Sequence, residues 1–173
     1  DGAGILTQIP HEFFKSELQK FAINLPPKGT YGIGMIFYPK NYQLREKCRD
    51  ITNKCITDLK LSLVGYRLVP VDEQVPGHEA KAAEPHIEQV VITSDEGLTD
   101  TDLERKLFVL SNYITHQVRK SVPGENGAFY ICSLSSRTII YKGQLKTDQL
   151  GEYYHDLANP RYKSVFAIVH SRF

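Results

Sequence analysis

The sequence predicts an α+β fold in which helices pack on sheets, and three observations favour this class. Two long segments carry apolar residues at helical spacing, residues 41–60 and the segment that begins at Thr101. Predicted strands outnumber predicted helices. Some consecutive strands look hairpin-connected, which differs from the regular strand–helix–strand alternation of parallel α/β proteins.

The composition is typical of one globular domain. The 173 residues suffice for a single domain with a hydrophobic core, so we predict one domain over residues 1–173. Hydrophobic residues make up 41% and charged residues 24%. The net charge of +1 gives no reason to expect binding to nucleic acid or to an anionic membrane. No apolar run approaches the roughly 20 residues of a membrane helix.

The first elements are a strand, a helix and a second strand. Residues 5–9 alternate and stop at Pro10, which indicates a strand followed by a helix start. Residues 25–29 indicate a loop. Tyr31–Tyr38 is apolar without alternation, so we expect a strand covered on both faces, whose glycines allow something to pack closely above it. The apolar positions at helical spacing after Pro10 are Phe13, Phe14, Leu18 and Phe21.

The middle of the chain contains the clearest helix, residues 41–60. A strand at residues 66–69 follows and stops at Pro70, and a long irregular loop is expected over residues 71–85 before a strand at residues 86–92. A metal site in this region is the alternative to a surface connection, but metal ligands need rigid positioning, which a flexible loop lacks. The apolar stripe of the helix is Leu44, Cys48, Ile51, Cys55 and Leu59. The candidate metal ligands are His78, Glu79, Glu84, His86 and Glu88.

The last third begins with a second long helix. A capping box at residues 101–104 predicts its start, and Pro123-Gly124 its end. Residues 128–134 and 138–142 predict a hairpin around Ser135-Ser136-Arg137. A short helix at residues 147–154 and a strand at residues 165–169 complete the elements. The apolar stripe of the long helix is Leu103, Leu107, Leu110, Ile114 and Val118.

No single motif assigns a chemistry. The three cysteines Cys48, Cys55 and Cys132 are too few and too irregular for a disulfide framework, which favours a reducing compartment. Cys48 and Cys55 share a helix face, and buried hydrophobic positions are favoured there over a metal pair. The two Gly-x-Gly pairs, at residues 2–4 and 32–34, each match at most half of a phosphate-binding pattern, and neither has the full glycine spacing followed by a helix, which argues against nucleotide binding. The serines near Arg137 lack a nucleophile elbow, so turn residues that satisfy backbone groups are favoured over nucleophiles.

Several strings together resemble a known family. They are residues 1–14 (DGAGILTQIPHEFF), 31–37 (YGIGMIF), 69–72 (VPVD), 84–89 (EPHIEQ), 130–143 (YICSLSSRTIIYKG) and 167–173 (AIVHSRF). In this order they are similar to stretches of glutamate synthase large subunits, in the domain that is a class II glutamine amidotransferase and an N-terminal-nucleophile hydrolase. The last string looks like the start of the family's His-x-Arg-[Phe/Tyr]-Ser-Thr-Asn-Thr motif.

The resemblance implies a fold and a reaction. The fold is a four-layer αββα sandwich, incomplete in this chain. An N-terminal cysteine attacks the side-chain amide of L-glutamine, with its own α-amino group (pKa near 8) as base, and the released ammonia travels through a tunnel. Elsewhere in the same polypeptide, FMN and an iron–sulfur cluster supply electrons for a second glutamate made from 2-oxoglutarate. The expected partners are therefore L-glutamine and the remainder of the polypeptide.

The resemblance also assigns one site residue. Arg172 would bind the α-carboxylate of the substrate through its planar guanidinium, the alternative being a salt bridge at a strand end. The chain opens at Asp1, beyond the nucleophile of the family, and closes at Phe173, before the Asn-Gly pair of the oxyanion hole. We therefore expect no catalytic residue, no metal and no cofactor within this chain, and an inactive isolated fragment.

Two functions of different classes follow from the resemblance. The first is an enzyme segment, located in the cytoplasm or, in a plant, the plastid stroma. The second is a non-catalytic binding or scaffold module derived from the same fold. A cysteine start with a His-Arg-Gly string upstream of Asp1 would favour the enzyme.

Overall fold

The computed structural model describes residues 2–122 and 128–172. Within them the chain forms seven strands, five α-helices and one 3₁₀ helix. The strands are β1 (Gly2–Gln8), β2 (Tyr31–Tyr38), β3 (Leu61–Leu68), β4 (His86–Ser94), β5 (Tyr130–Ser135), β6 (Thr138–Gly143) and β7 (Ala167–Arg172). The helices are α1 (His11–Gln19), α2 (Tyr42–Asp58), α3 (His78–Ala82), α4 (Asp100–Ser121), α5 (Gln149–Tyr153) and the 3₁₀ helix His155–Ala158. In this part of the chain, no helix has both the length and the apolar character of a membrane span.

The strands form two antiparallel sheets, which confirms the α+β class. One sheet has four strands in the order β3-β4-β2-β5, and the other has three in the order β6-β1-β7. In the larger sheet Ile33 lies opposite Val91, and in the smaller one Leu6 lies opposite both Ile140 and Ile168. Within the described residues, β7 is thus an edge strand whose one partner is β1.

The predicted hairpin of β5 and β6 is wrong, because the two strands belong to different sheets. The turn between them is a corner held by Glu104 of α4, whose carboxylate accepts hydrogen bonds from Ser135 Oγ at 2.7 Å and from Ser136 N at 2.6 Å. Ser135 Oγ in turn accepts from the backbone N–H groups of Arg137 and Thr138. The serines are therefore turn residues, as expected. Both carboxylate oxygens of Glu104 accept hydrogen bonds at this corner. Thr99, and not Thr101, is the N-cap of α4, so the predicted capping box is also wrong.

Helices α2 and α4 cover one face of the four-stranded sheet. All five predicted stripe residues of α4 are buried, since a 3.6-residue period fixes one face of a helix. For α2 the prediction is partly right, because Cys48 and Cys55 are buried but Thr52 and Ile56 accompany them, and Leu44, Ile51 and Leu59 are only partly buried.

A second buried cluster fills the space between the two sheets. Ile33 and Met35 of β2 face this cluster, whereas Ile36 and Tyr38 face the helices, and all four are fully buried. The expectation that both faces of β2 are covered is confirmed. A Cβ atom at Gly32 would collide with the Leu107 side chain of α4, which confirms that a glycine of β2 permits close packing.

Other differences concern element limits and burial. The short helix α3 lies inside the predicted loop. Pro10 is the N-cap of α1, next to its first residue, in agreement with the predicted helix start. Phe21 lies beyond α1 and is largely exposed. The predicted strand at residues 165–169 is shifted to β7, whose residues are all exposed. Asp1, Phe173 and the predicted helix end at Pro123-Gly124 lie outside the described residues.

A buried polar network joins the C-terminal segment to the four-stranded sheet. Arg67 of β3 donates to Asp156 of the 3₁₀ helix and to Gln89 Oε1 of β4. Gln89 Nε2 donates to the Tyr141 hydroxyl at 2.9 Å, and that hydroxyl donates to Asp156 Oδ2, also at 2.9 Å. Each polar side chain of the network thus has a partner, as burial requires.

Candidate functional site

A cavity of about 930 Å³ is lined by the three-stranded sheet, and residues of the inter-sheet cluster such as Ile87, Tyr153 and Tyr154 also line it. From β7 the lining residues are Ile168, His170 and Arg172, which alternate along the strand. Gly4 of β1 lies opposite both His170 and Lys142, so these positions share one face of the sheet. Other walls come from residues 37–40, 82–85 and 143–145 and from Ala80, Ile87, Tyr153 and Tyr154.

The cationic side chain of Lys142 is held by an aromatic neighbour. Its Nζ donates to the Tyr130 hydroxyl at 2.6 Å and lies 4.4 Å from the centre of the same ring. An ammonium in such a position is attracted by the negative face of the ring. Because Tyr130 is on β5 and Lys142 is on β6, this contact also ties the two sheets together at the cavity.

The carboxylate of Glu84 lies on another wall and is almost fully buried, with 7% of the residue exposed. Its Oε1 accepts a hydrogen bond from the Tyr153 hydroxyl at 2.8 Å, and its Oε2 accepts one from Lys40 Nζ at 3.2 Å. Burial and the bond to Glu84 raise the pKa of Tyr153, so the phenol stays neutral and acts as a donor. Glu84 is therefore a satisfied structural anion whose charge Lys40 balances.

Positive charge predominates in the cavity. Among the described lining residues Glu84 is the one carboxylate, whereas Lys40, Lys142 and Arg172 are cations. After Lys40 is matched with Glu84, Lys142 and Arg172 remain. Such a lining is suited to a ligand that carries a carboxylate, which a guanidinium can bind through two parallel hydrogen bonds.

The structure places Arg172 at this cavity, in the last position of β7, and brings His170 of the same motif beside it. Arg172 is exposed and is not part of a buried ion pair. Its role in substrate binding stays a prediction.

Sequence patterns did not predict that Lys142 would line a cavity. Glu84 was predicted only as a candidate metal ligand. The usable signal for Lys142 was its position in β6, one residue after the buried Tyr141, which places it on the outer face of a half-buried strand.

The three cysteines do not belong to the cavity. Cys48 and Cys55 lie on α2 and Cys132 on β5, all three are buried, and the described cavity lining contains no cysteine. Burial raises the pKa of the Cys132 thiol to about 12 and raises the pKa of Cys55. These thiols are thus unsuited to act as nucleophiles at neutral pH.

The candidate metal ligands are dispersed. His86 Nε2 lies 2.9 Å from Glu88 Oε1, while Glu84 points to Tyr153, and His78 and Glu79 are on the exposed side of α3. Throughout residues 2–122 and 128–172, no three His, Cys, Asp or Glu residues form a group that could hold a metal ion.

Comparison with known proteins gives one consistent result. The family of class II glutamine amidotransferases matches residues 1–173. The chain is 40% identical over 174 residues to the glutamate synthase [NADPH] large chain of Bacillus subtilis. It is 38% identical over 173 residues to ferredoxin-dependent glutamate synthase 2 of Synechocystis sp., and 38% identical over 183 residues to glutamate synthase [NADH] of Saccharomyces cerevisiae. Each match covers 100% of this chain but only 11%, 11% and 8% of the respective relatives.

Proposed function

The chain belongs to the class II glutamine amidotransferases, and we propose that it is part of the glutaminase domain of a glutamate synthase. The observation that carries this proposal is the match to glutamate synthases along the whole chain, at 38–40% identity for the three relatives above. The proposed reaction is hydrolysis of L-glutamine to glutamate and ammonia, with transfer of the ammonia to 2-oxoglutarate. Since the chain spans about a tenth of those relatives, its main partner is the remainder of the polypeptide.

Arg172 is the proposed binding residue for the α-carboxylate of glutamine. The guanidinium is planar and always charged, and it can offer two parallel donors to a carboxylate. Its position at a cavity with surplus positive charge supports this role, since Lys142 on the same face adds to the attraction for an anion. A ligand held in this way has its α-carbon fixed near β7, and its side-chain amide can extend along the cavity.

The nucleophile comes from outside residues 1–173. A cysteine at the mature N-terminus attacks the amide carbon of glutamine, and its proton passes through the α-amino group to the leaving nitrogen. Ammonia departs, and water then cleaves the thioester to give glutamate and the free thiol. The buried positions of Cys48, Cys55 and Cys132 support an external nucleophile. The part of this chain in the reaction is to hold and orient the substrate.

The complete domain is proposed to be a four-layer αββα sandwich. In the described residues, α2 and α4 cover the outer face of the larger sheet, while the outer face of the smaller sheet borders the open cavity. Ile168 and Val169 of the edge strand are 62% and 72% exposed. Exposed apolar side chains on an unpaired strand edge are a liability in an isolated protein, which supports further chain covering this region.

FMN and an iron–sulfur cluster are proposed for the remainder of the polypeptide. The described residues do not fit an iron–sulfur cluster, because the three cysteines lie apart on α2 and β5 and no metal-binding group is formed among those residues. The proposed location is the cytoplasm, or the plastid stroma in a plant.

The test is isotope transfer by the full-length protein that contains this chain. With glutamine labelled with ¹⁵N in the amide, 2-oxoglutarate and a chemical reductant, we expect ¹⁵N in the α-amino group of newly formed glutamate. With glutamine alone, we expect unlabelled glutamate and ¹⁵N ammonia. If neither product forms while glutamine still binds, the chain is a non-catalytic module of the same fold.

A further inference from the structure

The position of Arg172 depends on the register of β7 against β1. Along β7 only Ile168, His170 and Arg172 line the cavity, while Ala167 and Val169 do not. Because successive side chains of a strand point to opposite faces, a slip of one residue would exchange the two sets. A slip of two residues would keep the face but move Arg172 by roughly 7 Å along the strand.

Burial does not fix this register. Every residue of β7 is exposed, and among the strands that the structure describes β7 pairs with β1 alone. Registers are strongly specified where one face of a strand is buried, and weakly where neither face is. In addition, Arg172 and His170 lie opposite Gly2 and Gly4 of β1, which have no side chains. Cross-strand packing of side chains therefore does little to favour one register over another at the C-terminal end of β7.

The segment before β7 is attached to β1 by two side chains. The backbone N–H of Gln8 donates to Ser164 Oγ at 3.1 Å, one residue beyond the last paired position, in which Thr7 lies opposite Ala167. The Ser164 hydroxyl itself donates to Phe166 O at 2.6 Å. The side chain of Ser164 thus continues the hydrogen-bond ladder at the point where the chain enters β7.

Tyr162 makes the second attachment. Its hydroxyl lies 2.7 Å from Thr7 Oγ1, and since the Thr7 hydroxyl donates to Gln8 O, Tyr162 is the donor. The Tyr162 ring packs against Phe13 at 5.2 Å and against Tyr141 at 5.8 Å between ring centres. Thr7 is buried, so this hydrogen bond connects a fixed point of β1 to a chain position five residues before β7.

We infer that Tyr162 and Ser164 are positioning residues that fix the register of β7 on β1 and so place Arg172 at the cavity. The effect on catalysis rests on the proposed role of Arg172, whereas the effect on register does not. Both side chains act at the entry of β7, where a shift by one residue would be transmitted to every later pair of the strand.

The test uses the full-length protein with Tyr162→Phe and Ser164→Ala, singly and combined, and with Lys163→Ala as a matched control at the exposed position between them. The first measurement is register. A cysteine at Leu6 is combined with one at Ala167, Ile168 or Val169, and disulfide formation is quantified by mass spectrometry of the linked peptides. A second cysteine pair, at Ile5 and Val169, is also tested, because successive pairs of an antiparallel ladder alternate between hydrogen-bonded and non-hydrogen-bonded geometry.

In the parent protein and in Lys163→Ala, we expect cross-links at the paired positions, Leu6 with Ile168 or Ile5 with Val169. In the combined variant, these cross-links should decrease and those of Leu6 with Ala167 or Val169 should appear. An unchanged cross-link pattern in the combined variant overturns the inference. The conservative Tyr162→Phe keeps the ring in place, so the single variants report register even where the combined variant is less stable.

The second measurement is steady-state kinetics with glutamine and with ammonia. The combined variant should show a KM for glutamine raised roughly tenfold or more, because small misplacements of a binding group are costly, while the rate with ammonia is retained. A shifted register with an unchanged KM would leave the positioning of β7 standing and would contradict the role proposed for Arg172. The two measurements thus separate a failure of this inference from a failure of the proposed function.

Discussion

Arg67 and Asp156, 89 residues apart in the chain, form a two-point ion pair in the interior of the protein. Arg67 Nη1 lies 2.8 Å from Asp156 Oδ2, and Nη2 lies 2.8 Å from Oδ1, and each side chain is 2% exposed. Burial by itself would lower the pKa of Arg67, but the hydrogen bonds and the charge of Asp156 raise it above its ordinary value. The pair holds the 3₁₀ helix against β3, and the segment after this helix leads to β7.

Removal of Asp156 should destabilise the fold strongly. In Asp156→Ala the guanidinium of Arg67 remains charged and buried, with Gln89 as a neutral partner at 2.8 Å and Glu17 as its remaining carboxylate partner among the described residues, at 3.3 Å. Breaking one partner of a buried pair typically costs about 3–5 kcal/mol. Urea unfolding followed by circular dichroism measures this loss. Asp58→Ala is the control, because it removes the partner of Lys54 in an exposed helical pair and should leave the unfolding midpoint nearly unchanged. Equal midpoints for the two variants would contradict a dominant role of the buried pair.

Gly32→Ala should destabilise the contact between β2 and α4. The added methyl group would meet the Leu107 side chain, and overpacking of a core costs about 1–3 kcal/mol. In the Gly32→Ala/Leu107→Ala double variant, the measured loss should be smaller than the sum of the two single losses, since the shortened side chain makes room. Gly151→Ala is the control, because Gly151 lies in α5 with no atom within 4 Å of an added Cβ. Additive losses would show that the backbone of β2, and not Leu107, resists the methyl group.

Stability should depend on pH through Glu104. Burial opposes its ionisation, but hydrogen bonds from Ser135 and Ser136 outweigh this effect and lower the pKa of Glu104 below its ordinary value of 4.5. A carboxylate with a lowered pKa in the folded state contributes stability that is present above pH 4.5 and is lost as the pH falls through the folded-state pKa. The difference in unfolding free energy between the parent protein and Glu104→Gln should therefore be largest near pH 7 and should narrow below pH 4.5. If the difference in unfolding free energy between the two proteins does not change with pH, the ionised carboxylate of Glu104 is not the source of the stabilisation.

The isolated polypeptide of residues 1–173 should not release ammonia from glutamine. Its cysteines are buried, and a thiol with a raised pKa supplies almost no thiolate at pH 7. The measurement is an ammonia assay on the purified polypeptide, with the full-length protein as positive control. Ammonia above the buffer blank, abolished by Cys→Ala substitution at any of the three positions, would show that one of these thiols is a nucleophile after all.

Sequence patterns predicted the helices and strands whose apolar residues recur with a clear period. They did not predict features of the fold that depend on contacts between residues far apart in the chain. The buried stripe of α4 and the two covered faces of β2 follow from spacing and apolar character alone. The corner between β5 and β6, which belong to different sheets, is held by Glu104, 31 residues before Ser135, and no local pattern reveals this contact. The cavity likewise combines Lys142, Glu84 and Arg172 from three separate segments. Only Arg172 was predicted, because the resemblance of one short motif identified it.

Arg172→Lys should weaken glutamine binding in the full-length protein without affecting the fold. The substitution keeps the positive charge but loses the two parallel donors of the guanidinium. Loss of a charged hydrogen bond is worth about 1.5–3 kcal/mol, so the KM for glutamine should rise roughly ten- to hundredfold. Because Arg172 is exposed on an edge strand, its replacement should leave the melting temperature unchanged.

Ammonia supplied in solution does not need the glutamine site, so glutamate synthesis from ammonia should be retained in Arg172→Lys. His170→Ala is the matched comparison, because His170 lies on the same face of β7, two residues earlier, but has no guanidinium to replace. It should change the KM for glutamine less than Arg172→Lys does. If both nitrogen sources are used equally poorly, or if the variant melts at a lower temperature, Arg172 supports the structure at the end of β7 and does not bind the substrate.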